Sequence, residues 1–233
     1  MFADSFVPVE RQKKLYVLKR SKFSRRSAFF REELEKADSS SSDSNTPKRV
    51  VLENHMPEDF DAYLRYINTG SPNLAADDAD PLFPLLRLYL LADELYDFTM
   101  ANFVMNDIIR TSDEFKHTPS KKEVWFVWTM IEEYDHPLKR LFVDYQVHEA
   151  PRDSLIFDEI ENIPFEYLND VVLKFSDLAE QEEERRKVDG EDAIFGVKCS
   201  ERPDCHYHQH GKDVNHPSCE ELGLLSMRGR SMS

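Results

Sequence analysis

The sequence predicts an α+β chain that is mostly helical, with a small mixed sheet near the N-terminus, helices flanking it and a helical extension behind it. Three observations predict this class. The runs that read as strands all lie before residue 53. From residue 60 onward, apolar residues recur six times at i, i+3, i+4 and i+7, the mark of one buried stripe on an amphipathic helix. A chain of 233 residues with 40% hydrophobic residues and 16 phenylalanines also has the apolar material for one substantial core and an accessory tail.

In chain order, residues 5–10 and 13–20 read as two short strands, the second through Leu15, Tyr16, Val17 and Leu18, with Arg11, Gln12 and Lys13 as a polar hairpin turn. From Ser21, a candidate N-cap, the period becomes helical, and Phe23, Ser27, Phe30 and Leu34 share one face. Residues 37–47, rich in serine, aspartate and asparagine and closed by proline, read as a loop, and the serines beside Asp38 and Asp43 as candidate phosphorylation sites or a plain linker. Val50, Val51 and Leu52 are expected to form a third strand.

The six helical stripes follow. They are Phe60, Tyr63, Leu64 and Ile67; Leu88, Leu91, Ala92 and Leu95; Ala101, Val104, Met105 and Ile108; Val124, Val127, Trp128 and Ile131; Leu138, Leu141, Phe142 and Tyr145; and Leu168, Val171, Val172 and Phe175. Breaks are expected between residues 70 and 84 and near Asp97. Gly70 suits the left-handed position that ends a helix. In the fourth stripe Trp128 belongs to the core, leaving Trp125 as a surface anchor. Beyond Ala179 the chain is almost wholly charged to Lys187, and Asp189–Gly190 ends whatever helix it makes. The expected organisation is a domain over 5–112, a helical extension over 113–180 and a charged, Cys/His-rich tail over 181–233, flexible or organised by metal.

Charge and motifs exclude several functions. A net charge of −15 opposes nucleic-acid backbones and anionic membrane surfaces and favours basic partners. The most apolar stretch, residues 82–96, is interrupted by Pro84, Arg87, Asp93 and Glu94, far short of the ~20 residues that span a bilayer. Residues 1–10 lack the basic flank and apolar run of a secretory signal, and three cysteines cannot make a disulfide framework, so the expected setting is cytoplasm or nucleus. No phosphate-binding glycine loop, G-x-S-x-G elbow or H-E-x-x-H helix is present, and an enzyme is not expected. Adjacent carboxylates such as Glu132 and Glu133, or Asp158 and Glu159, point to different sides of a helix and read as surface charge.

Three segments together resemble the BTB/POZ domain, especially that of short, divergent fungal proteins. Residues 16–23 with Ser27, Ala28, Phe29 and Phe30 resemble the family's strand, basic pair and Ser-Pro-Phe-Phe. Lys19, Arg20 and Ala28 stand where histidine, lysine and proline are usual. Residues 51–53, Phe60 and residues 63–70 are similar to its second strand and to the helix that ends in Tyr-Thr-Gly, and residues 88–95 are similar to its Leu-x-x-Ala-Asp-x-Leu helix. The resemblance covers residues 5–110. It implies a non-catalytic interaction module, a scaffold or adaptor, whose partners are proteins or a second copy of itself.

The tail raises a second reading, a zinc-binding regulatory protein. Cys199, Cys205, His208 and Cys219 are the expected ligands of one zinc, with His206, His210 and His216 as substitutes, because thiolate sulfur and imidazole nitrogen suit tetrahedral zinc. The spacing is not that of a standard zinc finger, and a histidine-rich tail that binds metal only adventitiously is the alternative.

Overall fold

The computed structural model describes residues 6–11, 14–40, 52, 55–70, 81–150, 163–189, 199 and 206–209. Among these the chain is mostly helical. Strands β1 (Phe6–Arg11) and β2 (Lys14–Lys19) pair antiparallel, from Phe6 opposite Lys19 to Arg11 opposite Lys14. Alternation along β2 buries Leu18 and leaves Val17 in water. Val50 and Val51 of the expected third strand lie outside the described residues, whereas Leu52 is buried but belongs to no strand.

Eight helices follow among the described residues: α1 (Arg20–Arg26), α2 (Ala28–Ser40), α3 (Pro57–Thr69), α4 (Phe83–Glu94), α5 (Phe98–Phe115), α6 (Lys121–Met130), α7 (Pro137–His148) and α8 (Phe165–Asp189). The described residues fall into two compact units, the first ending at Val104 and the second running from Met105 to Gln209, so that the boundary lies inside α5.

In the first unit, the helix expected from Ser21 begins at Arg20 and stops at Ser27, whose extended backbone separates α1 from α2. The Ser27 hydroxyl caps α2 by accepting from Phe30 N (3.0 Å) and donates to the Leu95 carbonyl (2.6 Å). Phe23, Ser27, Phe30 and Leu34 are all buried, so the shared face is as their spacing predicts, whereas the break at Ser27 is not. The second helix continues to Ser40, into the expected serine loop; Ser39 donates to the Glu35 carbonyl. Residues 41–51 lie outside the described residues.

Proline starts α3, and Asp59 at its third position reaches back to Met56 N (3.1 Å). Arg87 of α4 then forks onto the same carboxylate, Nη2 to Oδ1 at 2.7 Å and Nε to Oδ2 at 3.1 Å, and ties the two helices together. Tyr16 of β2 packs edge-on against Phe60 and donates to the Pro57 carbonyl. Gly70 closes α3 at φ 75°. Pro84, expected as a breaker, sits instead in the first turn of α4, where a missing N–H costs nothing. Leu88, Leu91, Ala92 and Leu95 are fully buried, as their spacing predicts.

In the second unit α7 packs on α6 and α8, and α6 on α8. Ser120 and Glu123 form a capping box at the start of α6; His136 caps α7 through Nδ1, which accepts from Leu138 N. Trp128 stacks edge-on against Tyr167 and beside Phe142, while Trp125 stays exposed.

Candidate functional site

A polar cluster of the second unit forms among the described residues where isolated pieces of the C-terminal segment meet α7. Asp144 and His148 lie one turn apart on α7, beside the apolar stripe Leu138, Leu141, Phe142 and Tyr145. The Asp144 carboxylate is almost fully buried. Its Oδ2 accepts from the Tyr207 hydroxyl at 2.7 Å, and its Oδ1 faces Lys174 Nζ of α8 at 3.2 Å. His206 Nε2 at 3.7 Å and His148 Nε2 at 3.9 Å complete the surround. A buried carboxylate is tolerated only when such donors replace its water.

Three further contacts fix the segment: Cys199 N donates to Glu149 Oε1 (2.6 Å), His208 Nε2 lies 2.9 Å from Asn106 Oδ1, and the Gln209 amide lies 3.3 Å from His136 Nε2. Burial, then the Cys199 sulfur and Asp144 beside it, drive the Tyr207 hydroxyl far above its ordinary titration range, so it stays protonated and donates. Burial likewise pushes the Cys199 thiol up, which keeps it a thiol rather than a nucleophilic thiolate.

Of the expected zinc ligands, Cys199 and His208 are described: the Cys199 backbone N–H donates to Glu149 while its thiol lies beside Tyr207, His208 Nε2 faces Asn106, and His206, a substitute ligand, faces Asp144. Cys205, Cys219, His210 and His216 lie outside the described residues. Among the described residues no group of three or more His, Cys, Asp or Glu is arranged to hold an ion.

The sequence signal for this docking is Tyr207 itself, which with Phe195 is one of two Phe or Tyr residues in a polar tail. Its carboxylate partner is 63 residues away, and nothing in the local spacing names it.

A second polar centre belongs to the first unit. Asp97 is fully buried at the start of α5, where Oδ1 accepts from Met100 N (3.0 Å), and Oδ2 accepts from both Tyr63 Oη and Arg26 Nε (3.0 Å each). Arg26 also lies over the Tyr66 ring. These groups come from α1, α3 and the α4–α5 joint. Apart from Arg26 Nη2, which is buried without a hydrogen-bond partner, each is spent on another, which makes the centre a framework.

The large apolar side chains left in water are a different matter. On α8, Phe165 is 75% exposed, Val172 62%, Leu173 49% and Phe175 41%. The expected stripe Leu168, Val171, Val172 and Phe175 is therefore corrected: only Val171 is buried, and with Tyr167 it forms the face that meets α6 and α7. Trp125, Met130 and Tyr134 are exposed as well.

Among known proteins, no family model matches the chain, and no curated protein matches its sequence. Among the described residues no helix is long and apolar enough to cross a membrane.

Proposed function

We propose that this chain is a protein–protein interaction module of the BTB/POZ type, a scaffold or adaptor rather than an enzyme. The observation that carries the reading is the apolar side chains of α6 and α8 that remain in water, an arrangement more costly than a polar surface and typical of surfaces that meet a partner. The buried carboxylates of Asp59, Asp97, Glu123 and Asp144 are each tied to a cap, a neighbouring helix or the C-terminal segment, and so serve the fold. The family type rests on the ordered resemblance of residues 5–110 and gains support from the Ser27 hydroxyl on the Leu95 carbonyl, which brings two of the resembling segments together. Cys199, a free and buried thiol, suits a reducing cytoplasm or nucleus.

The test is affinity purification of the full chain from native extract, read by mass spectrometry against a charge-matched control protein. Recovery of defined proteins in near-stoichiometric amounts is expected. Recovery of nothing above the control would remove the reading.

A further inference from the structure

The joint between α6 and α7 presents a short segment of chain to water. Ile131 and His136 are buried anchors with extended backbone, and the four residues between them, Glu132, Glu133, Tyr134 and Asp135, are all exposed. Among the described residues these four make no backbone–backbone hydrogen bond. A side-chain bond crosses from the joint to α8, where the Tyr134 hydroxyl donates to Asp170 Oδ1 at 3.0 Å.

Exposure and backbone single this tyrosine out. Of the nine tyrosines, six are buried, Tyr16 is half-buried, and only Tyr96 and Tyr134 face water. Tyr96 sits in the tight joint between Glu94, the end of α4, and Phe98, the start of α5. Its backbone there is left-handed, at φ 51°, and its ring lies against Phe98. That joint cannot straighten without unwinding a helix. An enzyme that transfers a phosphoryl group to tyrosine works by positioning the hydroxyl in line with its nucleotide, which needs a few residues of extended, accessible chain. Residues 131–136 supply them, with Glu132 and Glu133 before the tyrosine and Asp135 after it.

We propose that Tyr134 is a phosphorylation site for a tyrosine kinase that reads acidic sequence, and that the phosphate frees this joint from α8. Tyr134 Oη attacks the γ-phosphorus of a nucleoside triphosphate. The bond to the β-phosphate oxygen breaks, the nucleoside diphosphate leaves, and the phenolic proton passes to the kinase's base. The product has no hydroxyl to donate, so the bond to Asp170 is lost, and a charge of about −1.5 to −2 then stands opposite that carboxylate. Two cations are near, Lys139 over the Trp128 ring and Arg140 at 3.5 Å from Asp135. Glu132, Glu133, Asp135, Glu166 and Asp170 outnumber them, so repulsion prevails. The site does not depend on the chain's being an interaction module.

The test incubates the full-length protein with magnesium ATP and a recombinant tyrosine kinase domain that prefers acidic substrates, and maps phosphate by mass spectrometry. Tyr134 should carry most of the label, which Tyr134→Phe should remove and Tyr96→Phe should leave unchanged. In the phosphorylated protein the amides of α8 around Asp170 should exchange with deuterium about fivefold faster, the effect of losing one exposed tie. Tyr134→Phe, which loses the tie without gaining charge, should speed exchange less. Asp170→Asn, whose amide can donate to the phosphate, should blunt the response. No label, label on Tyr96 instead, or label on Tyr134 in a peptide of residues 128–140 but not in the folded chain would overturn the site. Exchange in α8 that phosphorylation leaves unchanged would overturn the release.

Discussion

Asp97 holds the start of α5, and its removal should be among the most damaging single changes in the first unit. In Asp97→Ala the Met100 amide loses its cap, which costs about 1 kcal/mol. The Tyr63 hydroxyl, in a residue with no exposed surface, loses its acceptor, which costs about 1–3 kcal/mol. Arg26 loses its carboxylate. Its side chain is 29% exposed, so water recovers part of the charge and the loss is about 1–2 kcal/mol rather than the several of a fully buried pair. The combined cost is about 4 kcal/mol, a large share of the ~5–15 kcal/mol that stabilises a domain.

Asp97→Asn keeps an oxygen for Met100 N but puts an amide nitrogen where Oδ2 stands: the Tyr63 hydroxyl can turn to accept from it, whereas Arg26 loses its acceptor and its counter-charge. The change should cost about 1–2 kcal/mol. With a urea slope of about 2 kcal/mol per molar, the midpoint followed by far-ultraviolet circular dichroism should fall by about 2 M for alanine and under 1 M for asparagine. Both tryptophans, Trp125 and Trp128, lie in the second unit, so their emission reports that unit separately. An alanine variant within about 0.5 M of wild type, or an asparagine variant as damaged as alanine, would refute the account of Asp97 as cap, acceptor and counter-charge together.

Glu123 is buried at the start of α6. Burial alone would raise its titration, but His117 at 2.9 Å and the Ser120 amide at 2.6 Å outweigh that and hold it below the ordinary glutamate value. A folded value below the unfolded one gives stability that is full above the unfolded value and is lost as pH falls through the folded one. The stability gap between wild type and Glu123→Gln, from urea midpoints, should therefore be widest near pH 7 and narrow below about pH 4; a gap that does not change with pH would contradict it. Gly70→Ala should lower stability by about 1 kcal/mol through backbone strain alone, since φ is 75° and nothing lies within 4 Å of the added methyl; a neutral melting temperature would show the turn relaxing. Tyr207→Phe keeps the ring and strips Asp144 of its 2.7 Å donor, at a cost of about 1–3 kcal/mol, and should speed proteolytic cleavage beside residues 206–209. Unchanged cleavage would mean that the hydroxyl does not pin the segment.

How far the sequence can be read depends on whether a residue's partners are local. Leu88, Leu91, Ala92 and Leu95 are legible because a stripe of four apolar side chains can be buried in only one way, and all four are fully buried. Ser27 reads as mid-helix because its spacing from Phe23, Phe30 and Leu34 survives the break. Its extended backbone depends on the Leu95 carbonyl, 68 residues away. The docked Tyr207 is hidden for the same reason, and so is the framework at Asp97, whose Arg26 partner is 71 residues distant. At α8 the cause is different. Residues 165–179 contain apolar residues enough for two faces, and period alone assigns them to one stripe without saying which side has a neighbour. The structure buries Tyr167 and Val171 and leaves Val172 and Phe175 outside. A helix that served only its own fold would gain nothing from the second face, since exposed phenylalanine and valine forgo roughly 1.5–3 kcal/mol each relative to burial. The stripe expected from the sequence fails for that reason: α8 holds two apolar faces, and α6 and α7 cover one of them.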